Sequence, residues 1–206
     1  MFKVFLSVIL FMFLTGLNAQ VTRVPQTPKN TPREIQETLD EERVHTGFYL
    51  SMCLGLGESE QTLSNGLNRA SENGLGATVD FKIGGAIMPN TILHGTLLSN
   101  AGATSNPQIT TGFALYAAGI TQYFMPHNLA ISGNIGGGFN TITNNYGVQD
   151  RTDLGWGFQV KVLKEWYISK KWGLGVSLQV ASVFASTSTV DTAGLFYGIG
   201  FNATLN

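Results

Sequence analysis

Thr46-Gly47-Phe48-Tyr49-Leu50-Ser51-Met52-Cys53-Leu54-Gly55-Leu56 places apolar Phe48, Leu50, Met52, Leu54 and Leu56 on its even positions. Gly47, Ser51, Cys53 and Gly55, on the odd positions, are small or weakly polar. Because successive side chains of an extended chain point to opposite sides, this period of two predicts a β-strand with one apolar and one polar face. The pattern returns along the chain. Leu75, Ala77, Val79, Phe81, Ile83 and Ile87 alternate with Gly76, Thr78, Asp80, Lys82, Gly84 and Ala86. Further stretches cover Leu129 to Phe139, Leu154 to Val162, Trp172 to Val180 and Gly194 to Leu205. Two weaker ones, near Thr91 to Asn100 and Thr110 to Tyr123, bring the expected number of strands to eight. In the former, Ile92, Leu93, Leu97 and Leu98 fall on both parities.

Alternation does not say which face points outward, and a soluble barrel with an apolar inside would give the same pattern. Three features favour the inverse arrangement. The polar face is crowded with glycine and small residues, which would hydrate a soluble exterior poorly. The strands run to the ~9–11 residues that cross a bilayer at a tilt. Aromatics collect near strand ends, where the membrane interfaces would lie; Trp156, Trp166, Tyr167 and Trp172 are the expected interface set. The fold class is therefore all-β, a transmembrane antiparallel barrel over residues 45–206. Short connections at Met88 to Asn90, Met125 to Asn128 and Ile168 to Lys171 would be periplasmic. Longer ones at Glu58 to Asn73, Ala101 to Pro107, Thr141 to Thr152 and Ser186 to Asp191 would be extracellular.

Composition agrees. Charged residues make up 12%, about half the ~25% of soluble domains. The formal net charge of −1 argues against a nucleic-acid partner. The single cysteine, Cys53, has no intrachain partner for a disulfide and reads as a buried small residue. Ahead of the barrel, Lys3, the apolar run Val4 to Leu14 and the small residues up to Ala19 have the layout of a secretory signal peptide, with cleavage between Ala19 and Gln20. Residues 20–44, with Pro25, Pro28, Pro32 and many charges, read as a periplasmic linker. Thr31 can cap a short helix over 32–43 there, and Glu34 has capping-box spacing.

Segments such as Gly155-Trp156-Gly157-Phe158 and Leu195-Phe196-Tyr197-Gly198-Ile199-Gly200-Phe201, with the strand pattern, resemble the small eight-stranded OmpA/OmpX-like outer-membrane β-barrel family. That resemblance implies a bacterial outer-membrane location, surrounding outer-membrane lipid and a monomer. Many members of the family end on an aromatic residue, whereas this chain ends Ala203-Thr204-Leu205-Asn206.

Candidate sites follow from the inward parity. Asp80 and Lys82 lie on the second strand, Lys161 and Glu165 on the sixth, which is opposite the second in an eight-strand ring. Gln159, Gln179, Asn134 and Tyr116 are candidate hydrogen-bond partners, giving a nearly charge-balanced structural plug. The expected role is non-enzymatic: envelope structure or limited passage of small solutes. A lipid A-modifying enzyme of the PagP or PagL kind would need a histidine near the extracellular end. His45, His94 and His127 all fall toward the periplasmic end and read as interfacial polar residues. Adhesion or partner binding through the outer loops is a third reading, and the sequence names no partner for it. No cofactor motif, metal-ligand spacing or nucleophile motif is present.

Overall fold

The computed structural model describes residues 44–105, 108–144, 146, 149–169 and 171–205. The expected signal segment 1–19, its cleavage pair Ala19 and Gln20, the region of the possible helix 32–43 and nearly all of the linker lie outside these. The described chain is a run of antiparallel strands: β1 Phe48–Ser64, β2 Arg69–Met88, β3 Thr91–Ala103, β4 Ile109–Phe124, β5 Leu129–Asn144, β6 Gln149–Arg151, β7 Gly155–Tyr167, β8 Trp172–Ser186 and β9 Asp191–Leu205. β6 is a three-residue piece paired with the end of β5, in line with β7. The two together make one stave, so the barrel has eight.

Each stave pairs with its neighbours in sequence, and β9 pairs with β1 to close the ring. The register can be followed all the way round. Leu50 faces Ile83, then Gly95, Ala118, Ile135, Phe158, Ser182 and Leu195, and Leu195 faces Glu60 back on β1. The circuit that leaves at Leu50 returns ten residues further along the same strand. With a rise of about 3.3 Å per residue and about 4.8 Å between strands, that stagger tilts the strands by about 40°. Eight staves at this tilt enclose an interior that side chains fill, the arrangement of the small OmpA/OmpX-type barrels. Closure also leaves no open edge, so all backbone polar groups at membrane depth can pair within the sheet.

The parities come out as the alternation requires. Phe48, Met52, Leu54 and Leu56 face outward and are exposed, whereas Tyr49, Ser51, Cys53 and Gly55 face inward and are buried. The same holds on β9, where Ile199 and Phe201 are exposed while Asn202 and Thr204 are buried. The apolar outer run of β1 ends at Leu56, before Glu58 and Glu60, which also face outward. At the strand tilt this run is roughly 20 Å high, comparable with the ~25 Å apolar band of such barrels.

The expected long outer loops are mostly strand. β1 and β2 stay paired as far as Ser64 and Arg69, well beyond Glu58 and Asn73. Only Asn65 to Asn68 make the turn, where Asn65 Oδ1 accepts from the amides of Leu67 and Asn68 and Gly66 takes a positive φ of 83°. Polar residues there suggest a loop by composition, but backbone pairing continues because nothing interrupts the ladder. The β8–β9 connection is likewise a tight turn, Thr187 to Val190, closed by the Val190 carbonyl accepting from the Thr187 amide. At the opposite end, Asn90 and Asn128 adopt positive φ in the short turns, a conformation asparagine tolerates better than most residues.

Gly57 and Gly198 face each other across the β1–β9 seam. A Cβ on Gly57 would lie 2.1 Å from the Tyr197 carbonyl oxygen, and one on Gly198 would lie 2.3 Å from that of Leu56. Backbone cannot yield as a flexible side chain does. Gly57→Val is therefore expected to disrupt closure: the wild-type barrel should migrate as a compact species in SDS until boiled, and the variant should show only the unfolded band.

Candidate functional site

The lumen is built in three layers. In the middle layer Asp80 of β2 reaches across to Lys161 of β7, four staves away, with Nζ to Oδ2 at 2.5 Å. Lys82 lies 4.0 Å from the same carboxylate oxygen and donates to Ser132 Oγ at 2.7 Å. Gln159 Nε2 donates to Asp80 Oδ2 (2.9 Å) and to Gln179 Oε1 (3.0 Å), and its own Oε1 accepts from Asn134 Nδ2 (2.8 Å). Asn134 Oδ1 accepts from Thr96, whose hydroxyl meets one ring nitrogen of His94; the other meets Thr121, which donates to Ser132. The chain of contacts thus runs back to Lys82. Lys161 also donates to Asn202, Asn202 to Ser177, and Gln179 to Thr78. Cys53 Sγ lies 4.0 Å from both Ser177 Oγ and Gln179 Nε2, so every stave contributes a side chain.

Two apolar layers enclose this one. Toward the end with the extended hairpins sit Leu98, Phe113, Leu115, Ala181, Val183, Ala185 and Phe196. Toward the end with the short turns sit Tyr49, Ile92, Tyr123, Ala130 and Leu163. His45 completes the lower closure: it stacks on Tyr123 with ring centroids 3.6 Å apart, and its Nε2 meets the Tyr167 hydroxyl. Its backbone exchanges hydrogen bonds with Asn90, amide to Oδ1 at 3.0 Å and carbonyl to amide at 3.1 Å.

Asp80, Lys82, Lys161, Gln159, Gln179 and Asn134 come together in the middle layer as the parity implies. Glu165 is buried in the lumen on the short-turn side, beside Tyr49 and Tyr123, the one carboxylate among the aromatic and aliphatic side chains described there. Tyr116 is a correction. It is 54% exposed on the outer wall of β4, near Phe139, because inward positions of that strand are the odd ones, Phe113 to Tyr123. Tyr167 is another: it is only 8% exposed and points inward to His45, whereas Trp156, Trp166 and Trp172 face outward. The histidines also differ from the interfacial placement. His45 and His94 are buried inside the barrel, and only His127 is exposed.

Thr96, Thr121 and Ser132 escape sequence reasoning, because single hydroxyls on small-residue faces look like spacing. The apolar layers escape it for the opposite reason. Inward Leu98, Phe113 and Phe196 break the small-and-polar pattern of their faces, and that break marks them.

No family model and no curated protein matches the chain. Among solved structures it is similar to Neisserial surface protein A, at 9% identity over 80% of this chain and 99% of that one, with a TM-score of 0.47. It is similar to the attachment invasion locus protein Ail of Yersinia pestis, at 10% identity over 76% and 99%, TM-score 0.39. The outer membrane protein OprG from Pseudomonas aeruginosa aligns at 9% identity over 77% and 97%, TM-score 0.33.

Asp80 is the hub of the middle layer. Asp80→Ala would leave two buried lysines facing each other without their carboxylate, and breaking a buried pair costs about 3–5 kcal/mol. The expected result is a lower urea midpoint for the variant in detergent, with a smaller loss for Lys161→Met, which leaves Asp80 its contacts with Lys82 and Gln159.

Proposed function

We propose that this protein is a bacterial outer-membrane barrel with a structural, non-enzymatic role, and that its lumen is a sealed cross-brace rather than a conduit. The observation that carries this reading is the layered interior: a hydrogen-bonded polar belt held between two apolar layers. A solute would have to displace Phe113 and Phe196 at one end and Tyr49 and Tyr123 at the other. It would also have to break the Asp80–Lys161 pair between them. Limited solute passage, the companion expectation from sequence, has no support in such an interior. The apolar outer wall with exposed Trp156, Trp166 and Trp172 supports residence in a bilayer. Export through the signal segment 1–19 then leads to the outer membrane, and the paired ends of β1 and β2 project from the outer surface.

The enzyme reading is the weaker one. The lipid-modifying chemistry considered above needs a histidine base near the outer leaflet. His94 hydrogen-bonds within the middle layer, while His45 and His127 lie at the short-turn end.

Two measurements test the proposal. The purified barrel in planar bilayers is expected to show no steady conductance. Removing one apolar layer, as in Phe113→Ala with Phe196→Ala, should leave it closed, because the other layer and the polar belt remain. Stable wild-type conductance would overturn the sealed reading. Recovered envelope protein is also expected to begin at Gln20 and to fractionate with the outer membrane; uncleaved chain in the inner membrane would refute the localisation.

A further inference from the structure

At the extracellular end of the outer wall, two successive outward rows of the sheet differ sharply in chemistry. The row nearer the membrane runs Thr62, Ala193, Phe184, Trp156 across β1, β9, β8 and β7. Phe184 and Trp156 stack with ring centroids 4.7 Å apart, and Ala193 is too small to fill the space beside them. The next row outward runs Arg69, Ser64, Asp191, Ser186 across β2, β1, β9 and β8. Asp153 extends it, its amide donating to the Ser186 carbonyl at 3.0 Å. Between the two rows lies an open cleft of about 510 Å³, within the size range of small-ligand sites.

We propose that this cleft binds the sugar–phosphate headgroup of an outer-leaflet glycolipid, an assignment that rests on the outer-membrane reading above. Arg69 offers a planar set of donors suited to phosphate. Asp153 and Asp191 would repel a bare anion, so the ligand must also bring donors, as the hydroxyl and amide groups of a sugar do. Ser64, Ser186 and Thr62 can donate to or accept from such groups. The Trp156–Phe184 pair presents a flat apolar wall to the C–H face of a sugar ring. That wall continues into the lipid-facing surface through Val160 and Val180, which leaves acyl chains in the bilayer. An ethanolamine headgroup would meet the charges but would leave most of the cleft and the aromatic wall without contact.

Trp156 reports on the site directly. The chain has three tryptophans, and Trp166 and Trp172 lie at the opposite end, so the W166F/W172F protein carries one reporter. Titration of this protein in detergent micelles with lipid A, a bisphosphorylated glucosamine-disaccharide glycolipid, is expected to change Trp156 emission saturably. Arg69→Ala should weaken the response at least tenfold. Phosphatidylethanolamine should give no saturable change. Retention of lipid A by the unsubstituted barrel through gel filtration gives a readout independent of these variants. The proposal is overturned by the absence of saturable binding, by an equal response to phosphatidylethanolamine, by full binding in Arg69→Ala, or by equal affinity for the deacylated headgroup. Heat-dependent migration in SDS is checked on every sample. Loss of binding in an intact barrel strikes the cleft alone, whereas failure of the wild type to insert into bilayers strikes the outer-membrane reading.

Discussion

The carboxylate of Asp80 is where the inside of this barrel is tied together. It spans the lumen to Lys161 on the opposite stave, lies near Lys82 on its own, and accepts from Gln159. Ions at such depth are tolerable only when paired and hydrogen-bonded, and that requirement fixes much around it. Gln159 is held between Asp80, Gln179 and Asn134; Lys82 is held by Ser132. Glycines on neighbouring inward positions leave room for these long side chains. A Cβ on Gly55 would lie 2.3 Å from Gln179 Nε2, and one on Gly119 would lie 2.1 Å from Asn134 Oδ1. The glycine-rich inner face is thus the complement of a few long polar residues.

The apolar layers serve that belt. They flank it on both sides, its members are buried, and in a less polar surrounding each hydrogen bond is electrostatically stronger. The same burial raises the cost of leaving any member unsatisfied, so the network holds as a unit. Because all eight staves contribute, it adds interior links to the backbone ladder that already joins neighbours. The outside follows a different rule: outward positions are apolar or aromatic from Phe48 to Leu56 on β1, from Trp172 to Val180 on β8 and from Ala193 to Leu205 on β9, and on these strands charged, serine and threonine side chains stand outward only beyond those stretches.

The architecture was legible in the sequence because a single physical rule generates it. Alternation in stretches such as Phe48 to Leu56 and Leu195 to Leu205 reports the two environments directly, and parity alone placed Asp80, Lys82 and Lys161 inside the barrel. Parity failed where evidence for it was thin. On β4, Tyr116 and Leu115 are neighbours of similar character, and only the register with β3 and β5 shows that Leu115 faces in. Tyr167 stands at the end of β7 beside Trp166, where an aromatic suggests an interface, yet its partner His45 lies far away in sequence. The layering of the lumen was hidden for the same reason. Ile92, Leu98, Phe113 and Phe196 come from three separate strands, and no local window contains the clusters they form. The ends of the staves were also misjudged, since polar residues from Glu58 to Asn73 resemble a loop until their pairing is known.

The seam between β1 and β9 joins the two ends of the described chain: Leu50 pairs with Leu205. Every other seam can form between segments adjacent in sequence, as a hairpin grows. This one needs the whole chain, and loop closure of that size carries an entropic cost that no local contact offsets early. Until it zips, β1 and β9 are both open edges able to pair with strangers. An incomplete chain therefore has no barrel smaller than the full one to settle into. The ring is all-or-none in time as well as in space, and its first strand must wait unpaired on one side until the last arrives.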